Sequence, residues 1–119
     1  MYHFQKIDTD LRIVAGIVYL PHTLDRQNEY TSGEEVARAM ESFVRNGSIV
    51  KVEHKGQPIR CEVVECRIVK NGEIEGVPGG SWWLAARIDD PRAWQLVKGG
   101  VLCGWSMAGT CRSIEEGEP

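Results

Sequence analysis

The sequence runs to 119 residues with 42% hydrophobic and 26% charged content, which suits one globular domain and excludes both a disordered segment and a two-domain protein. Fourteen Lys and Arg stand against seventeen Asp and Glu, a formal charge of -3, so the chain carries no overall electrostatic footprint for a phosphate backbone. The longest apolar run, Ile13 to Leu20, is too short to span a bilayer. No basic segment precedes a cleavable apolar stretch, so the expectation is a soluble cytoplasmic protein with neither nucleic acid nor membrane as partner.

Arg12 to Leu20 is rich in β-branched residues and apolar on both phases, the pattern of a strand buried on both faces. Pro21 to Ser32 is polar and non-periodic, a twelve-residue loop. Ser32 then opens a helix with Glu35 three residues on as a capping-box partner. Val36, Met40, Phe43 and Val44 form its apolar face, and Asn46-Gly47 stops it. Ile49 to His54 alternates, Lys55 to Pro58 reads as a turn, and Ile59 to Val69 is expected to pair back as the second arm of a hairpin.

Asn71-Gly72 marks a turn, and the Gly- and Pro-rich stretch Glu73 to Gly80 is expected to interrupt the sheet. Ser81 to Ile88 is a central-strand candidate. Asp90-Pro91 supplies a helix cap with proline at the first turn, predicting a short helix from Pro91 to Lys98 that ends at Gly99-Gly100. Val101 to Ser106 is a further strand. Residues 1–113 are thus expected to form one domain, and the acidic residues 114–119 a frayed tail. No internal repeat is present.

Cys61, Cys66, Cys103 and Cys111 are expected as free thiols, because no secretory context favours pairing, and their spacing is not that of zinc ligands. No metal or other cofactor is implied. Of the three histidines, His3 lies near a terminus where disorder is the default, and His22 reads as a surface residue of the long loop. His54 closes a half-buried strand before a glycine turn, a place that suits a catalytic base as well as an ordinary neutral histidine.

Ser106 lies in Gly104-Trp105-Ser106-Met107-Ala108-Gly109, where small neighbours let a substrate backbone approach and leave main-chain N–H groups free for an oxyanion. A serine at a tight turn fits the same letters. The α/β-hydrolase elbow does not fit, because position 108 is Ala and no histidine follows Ser106. Neither Cys61 nor Cys66 is marked as a nucleophile, since they fall on opposite phases of one strand candidate with nothing electropositive beside them.

Taken in order, four stretches carry a resemblance: Val14 to Pro21, Asp25 to Glu35, Val50 to Gly56, and Gly104 to Gly109. Val63 to Cys66, Gly80 to Trp83 and Trp94 to Gly100 add to it. Over about residues 12 to 110 the chain resembles the XkdF-like phage serine proteases, within the wider prohead (capsid maturation) protease group. That group is similar in fold to the herpesvirus assemblins. The resemblance implies an α+β fold, a mainly antiparallel β-barrel-like sheet with two flanking helices.

It further implies a serine endopeptidase with Ser106 as nucleophile, His54 as base and the backbone N–H groups of Met107, Ala108 and Gly109 near the oxyanion. The substrate would be a scaffold or capsid precursor polypeptide, cleaved in the bacterial host cytoplasm inside the assembling prohead. The chain departs from the assemblin pattern in having no histidine after the serine, so Glu65 or Glu29 is the internal candidate for the third member, the alternatives being a dyad that works alone or a residue outside this sequence. A strand fixes an acid better than a long loop, which favours Glu65. The alternative is an inactive module of the same fold that binds capsid, scaffold or portal subunits. The adjacent Trp82 and Trp83 must point to opposite faces of their strand, so one is expected to face the core and the other a helix or a partner subunit, and the assemblin resemblance implies a weak homodimer or a higher assembly on the scaffold.

Overall fold

In the computed structural model, which describes residues 2–21, 33–52, 57–105 and 111–113, those two indoles decide how the molecule is layered. They begin β7 (Trp82–Ile88), and side chains of an extended strand alternate between faces. Trp82, Leu84, Ala86 and Ile88 enter one apolar cluster, whereas Trp83 and Ala85 enter another. β7 is central in an antiparallel sheet of order β2-β3-β7-β6, with β2 Lys6–Asp8, β3 Ile13–Tyr19 and β6 Cys61–Ile68. β3 is buried at five consecutive positions, as its unbroken apolar sequence predicts.

The second sheet is assembled from short strands: β1 Tyr2–His3, β8 Leu102–Trp105, β9 Cys111–Ser113, β4 Lys51–Val52 and β5 Gln57–Pro58, in the order β1-β8-β9-β4-β5. All its pairs are antiparallel except β4 with β9. Between this sheet and the four-stranded one lies the larger cluster. It takes Val36 and Phe43 from α1 (Gly33–Arg45), Ala93, Trp94 and Val97 from α2 (Pro91–Lys98), and Leu102 and Trp105 from β8. The N-terminal strand links the sheets. After β1 pairs with β8, the Phe4 N–H donates to the Cys103 carbonyl at 2.7 Å, the Gln5 N–H donates to the Ala15 carbonyl at 2.8 Å, and β2 then pairs with β3. Gly16 makes the crossing feasible, since a Cβ there would meet Phe4 Cα at 3.2 Å and the His3 carbonyl oxygen at 3.3 Å.

The α+β composition with two helices is as expected, but the described strands form two open sheets, not a barrel. Several local expectations are corrected. His3 lies in a strand because β8 offers its edge for pairing. The partner of β4 is Gln57–Pro58, whereas residues 61–68 cross to the other sheet and pair with β7. The Gly- and Pro-rich stretch therefore does not interrupt a sheet; it is the connection between two adjacent strands. Val44 is 49% exposed because the buried stripe of α1 runs through Val36, Ala39, Met40 and Phe43 and leaves position 44 on its flank. The expected Ser32 cap lies outside the described residues.

Cys61 and Cys66 are also not on opposite faces. The β6–β7 register shifts between Val63 and Glu65, and this bulge places Cys61, Val63, Cys66 and Ile68 all against the larger cluster. Both indoles are buried, Trp82 at 0% and Trp83 at 2% exposure, with Trp83 covered by Val69, Val77 and Ile74 of the β6–β7 connection. The Trp82-Trp83 pair thus leaves neither indole exposed, because residues of the same chain cover Trp83.

Candidate functional site

β8 and β4 end one and two residues, respectively, before the candidate nucleophile and base. β8 ends at Trp105, which is fully buried; its indole Nε1–H donates to the Leu84 carbonyl of β7 at 3.0 Å. The Phe4 ring meets the Trp105 ring edge-on, with centroids 5.1 Å apart and planes at 75°. Trp105 pairs with Cys111 on one edge and with Tyr2 on the other. Val52, the last residue of β4, also pairs with Cys111. Trp105 and Val52 therefore flank one residue of β9, about 10 Å apart at ordinary strand spacing.

Ser106, Met107, Ala108 and Gly109 follow Trp105 directly and lie outside the described residues, as do His54, Glu29 and His22. What the fold brings together is the pair of strands that lead to Ser106 and toward His54. Because β4 is parallel to β9 while β8 is antiparallel to it, the direction of β4 leads away from the end of the hairpin where Trp105 faces Cys111. Four residues separate Val52 from its partner Gln57.

Glu65 is placed elsewhere. Its Oε1 accepts from the Trp83 indole Nε1–H at 3.0 Å, and its Oε2 accepts from Arg67 Nε–H at 2.7 Å. Arg67 continues to Glu73 at 2.5 Å, and the other oxygen of Glu73 accepts the Lys70 N–H at 2.8 Å. The Lys70 bond first, and then Arg67, hold the Glu73 carboxyl below its ordinary range, while the bond from Glu65 raises Arg67. This chain of contacts ties the β6–β7 connection over Trp83. It lies on the face of the four-stranded sheet opposite the cluster that holds Trp105. Both Glu65 oxygens are thus engaged on the outer face, by Trp83 and by Arg67.

On that outer face lies a groove of about 660 Å³, floored by Ala15 and Ala85 and edged by Trp83, Lys6 and Glu65. Sequence reading did not single it out; its one mark is the cross-strand row Lys6, Ala15, Ala85, Glu65, which only the register reveals. Among the described residues no group of three or more His, Cys, Asp or Glu side chains is arranged to hold a metal ion. Among them, too, no helix is long and apolar enough to cross a membrane.

Cys61 and Cys66 are free cysteines. Burial and then Asp89 push the Cys61 thiol up to about 11, and burial pushes Cys66 up against the opposing indole N–H of Trp82. Thiols so shifted are poor nucleophiles at neutral pH.

Comparison places this two-sheet α+β domain among phage proteins. Over residues 2–115 the chain matches the family described as "Putative phage serine protease XkdF", and it belongs to that family. It is 31% identical over 117 residues to the phage-like element PBSX protein XkdF of Bacillus subtilis (strain 168), covering 95% of this chain and 42% of that protein. It is 32% identical over 112 residues to "Uncharacterized protein YqbD" of the same organism, covering 90% of this chain and 34% of that one. The chain thus spans less than half the length of these curated relatives. No solved structure matches it.

Proposed function

We propose that this chain is the protease domain of a phage prohead endopeptidase, cleaving scaffold or capsid precursor polypeptides inside the assembling particle in the host cytoplasm. Membership of the family supports the class. The observation that carries the site is the shared pairing of Trp105 and Val52 with Cys111, which sets the strands leading to Ser106 and toward His54 on either side of β9 in one sheet.

In this reading Ser106 Oγ attacks the scissile carbonyl carbon while His54 takes its proton, and the tetrahedral oxyanion is met by backbone N–H groups of Met107, Ala108 and Gly109. Collapse breaks the C–N bond, and the proton passes from His54 to the leaving amine. Water, deprotonated by His54, then hydrolyses the acyl-serine and restores both groups. The dyad requires no cofactor. It is proposed without Glu65, whose two oxygens serve Trp83 and Arg67.

The test is to incubate the chain with a fluorophosphonate probe, which bonds serine oxygen to phosphorus as fluoride departs, and to locate the adduct by mass spectrometry. The adduct is expected on Ser106 alone. Ser106→Ala should abolish it without loss of folded structure, and His54→Ala should slow it by about two orders of magnitude or more. An adduct that forms equally well in Ser106→Ala would sink the assignment.

A second reading, a non-catalytic module that binds capsid, scaffold or portal subunits, has the direction of β4 in its favour. A dyad needs the His54 side chain to reach back past Val52 toward Ser106, against the direction of β4, whereas a binding module has no such requirement. Absence of any Ser106 adduct in wild type would select this second reading.

A further inference from the structure

We propose that Phe4 and Trp105 are positioning residues for the nucleophile, locking the end of β8 to the central strand of the opposite sheet; the proposal rests on the assignment of Ser106. A nucleophile works only when its supporting shell holds it to within about 0.5 Å, and the last residue of a short strand is ordinarily the least constrained. Trp105, the residue before Ser106, is held from every side. Its backbone pairs with Tyr2 and Cys111 on its two edges. Its indole N–H is anchored on the Leu84 carbonyl at 3.0 Å, and that bond fixes the ring about its own axis in a way that apolar packing alone does not.

Phe4 closes the arrangement. Its ring stands edge-on to the indole at 5.1 Å, while its own N–H donates to the Cys103 carbonyl at 2.7 Å within the same strand, β8. Gly16 leaves room for the Phe4 backbone to lie against β3. The frame for the nucleophile is therefore the rigid four-stranded sheet, reached through one hydrogen bond and one aromatic contact, and it is completed only by residues from the far N-terminal end of the described chain.

The experiment measures the maximal rate of fluorophosphonate labelling at Ser106, and the probe concentration giving half that rate, in wild type, Phe4→Ala, Phe4→Tyr and Trp105→Phe, with melting temperature alongside. Positioning predicts that Phe4→Ala and Trp105→Phe lower the maximal rate about tenfold or more while the half-saturating concentration stays within about twofold. Phe4→Tyr, which keeps the ring edge, should restore the wild-type rate. A purely structural role would lower the melting temperature and leave the rate of the folded protein unchanged, and that result overturns the proposal. If Phe4→Ala does not fold, Trp105→Phe decides alone, since it keeps most of the ring and removes the N–H. A wild-type chain that never labels at Ser106 overturns the dyad and this inference together, whereas labelling that is indifferent to all three variants overturns the inference only.

Discussion

The four-stranded sheet rests mainly on long strands, with seven residues in β3, eight in β6 and seven in β7, and its central strand buries side chains on both faces. The five-stranded sheet is made of strands two to four residues long, drawn from both ends and the middle of the chain. The first coheres through its own ladders. The second borrows cohesion, through the Trp105 anchor on Leu84, the Phe4 crossing and the α2 side chains packed beside β8. Stability is thus concentrated in one sheet, and the strands leading to the proposed chemistry lie in the other. Flexibility needed for substrate entry is easier to tolerate where few ladder bonds must open.

The largest test of that division is Trp82→Ala. Removing this fully buried indole should cost about 3–5 kcal/mol in urea denaturation, a large share of the roughly 5–15 kcal/mol that holds a typical domain folded. A loss below about 1 kcal/mol would show that stability does not reside in the four-stranded half. Glu65→Ala is the next in size. It strands the Trp83 indole N–H without its acceptor, for an expected loss of about 1–3 kcal/mol, with labelling of Ser106 unchanged. A tenfold or greater fall in labelling, at roughly that stability, would return Glu65 to the catalytic group and erase the separation between the faces.

The smallest effect is on the pH dependence of the β6–β7 connection. Glu73 is held below its ordinary range, first by the Lys70 N–H and then by Arg67, so the stability it contributes is present above the unfolded carboxylate value near about 4.3. It is lost as pH falls through the lower folded value. Amide exchange across residues 69–81 should be insensitive to pH-driven opening between neutrality and about pH 5, and should rise below about pH 4. Glu73→Gln should remove that acid limb. A limb that persists in the variant would assign it to another carboxylate.

How far the sequence speaks differs between the sheets for a physical reason. β3 and β7 are long enough for their pattern to show, and α2 declares itself completely: Asp90 Oδ1 accepts from the Arg92 and Ala93 N–H groups, proline stands at the first turn, and Gly99 ends the helix. β1, β2 and β9 are two or three residues long, too short for any period to appear, and are strands only because a distant edge accepts them. The bulge in β6 leaves no mark in Val63-Val64-Glu65, yet it reverses which residues of the first half share a face with those of the second. Of the candidate site, the residue types and their flanking strands were legible at Ser106 and His54. The parallel pairing of Val52 with Cys111 was not, since nothing local to either residue encodes a partner so far along the chain.

The strand that crosses between the sheets also sets the order in which the protein can be completed. Tyr2 and His3 pair with Trp105 and Gly104, which lie far along the sequence from them. The four-stranded sheet can assemble from β3, β6 and β7 before that pairing forms, whereas the five-stranded sheet needs β1 and β8 together. Closing so long a loop is slow relative to local pairing. β1 is then the final clasp of the fold, and β8 gains its last edge contact only when two segments distant in sequence have met.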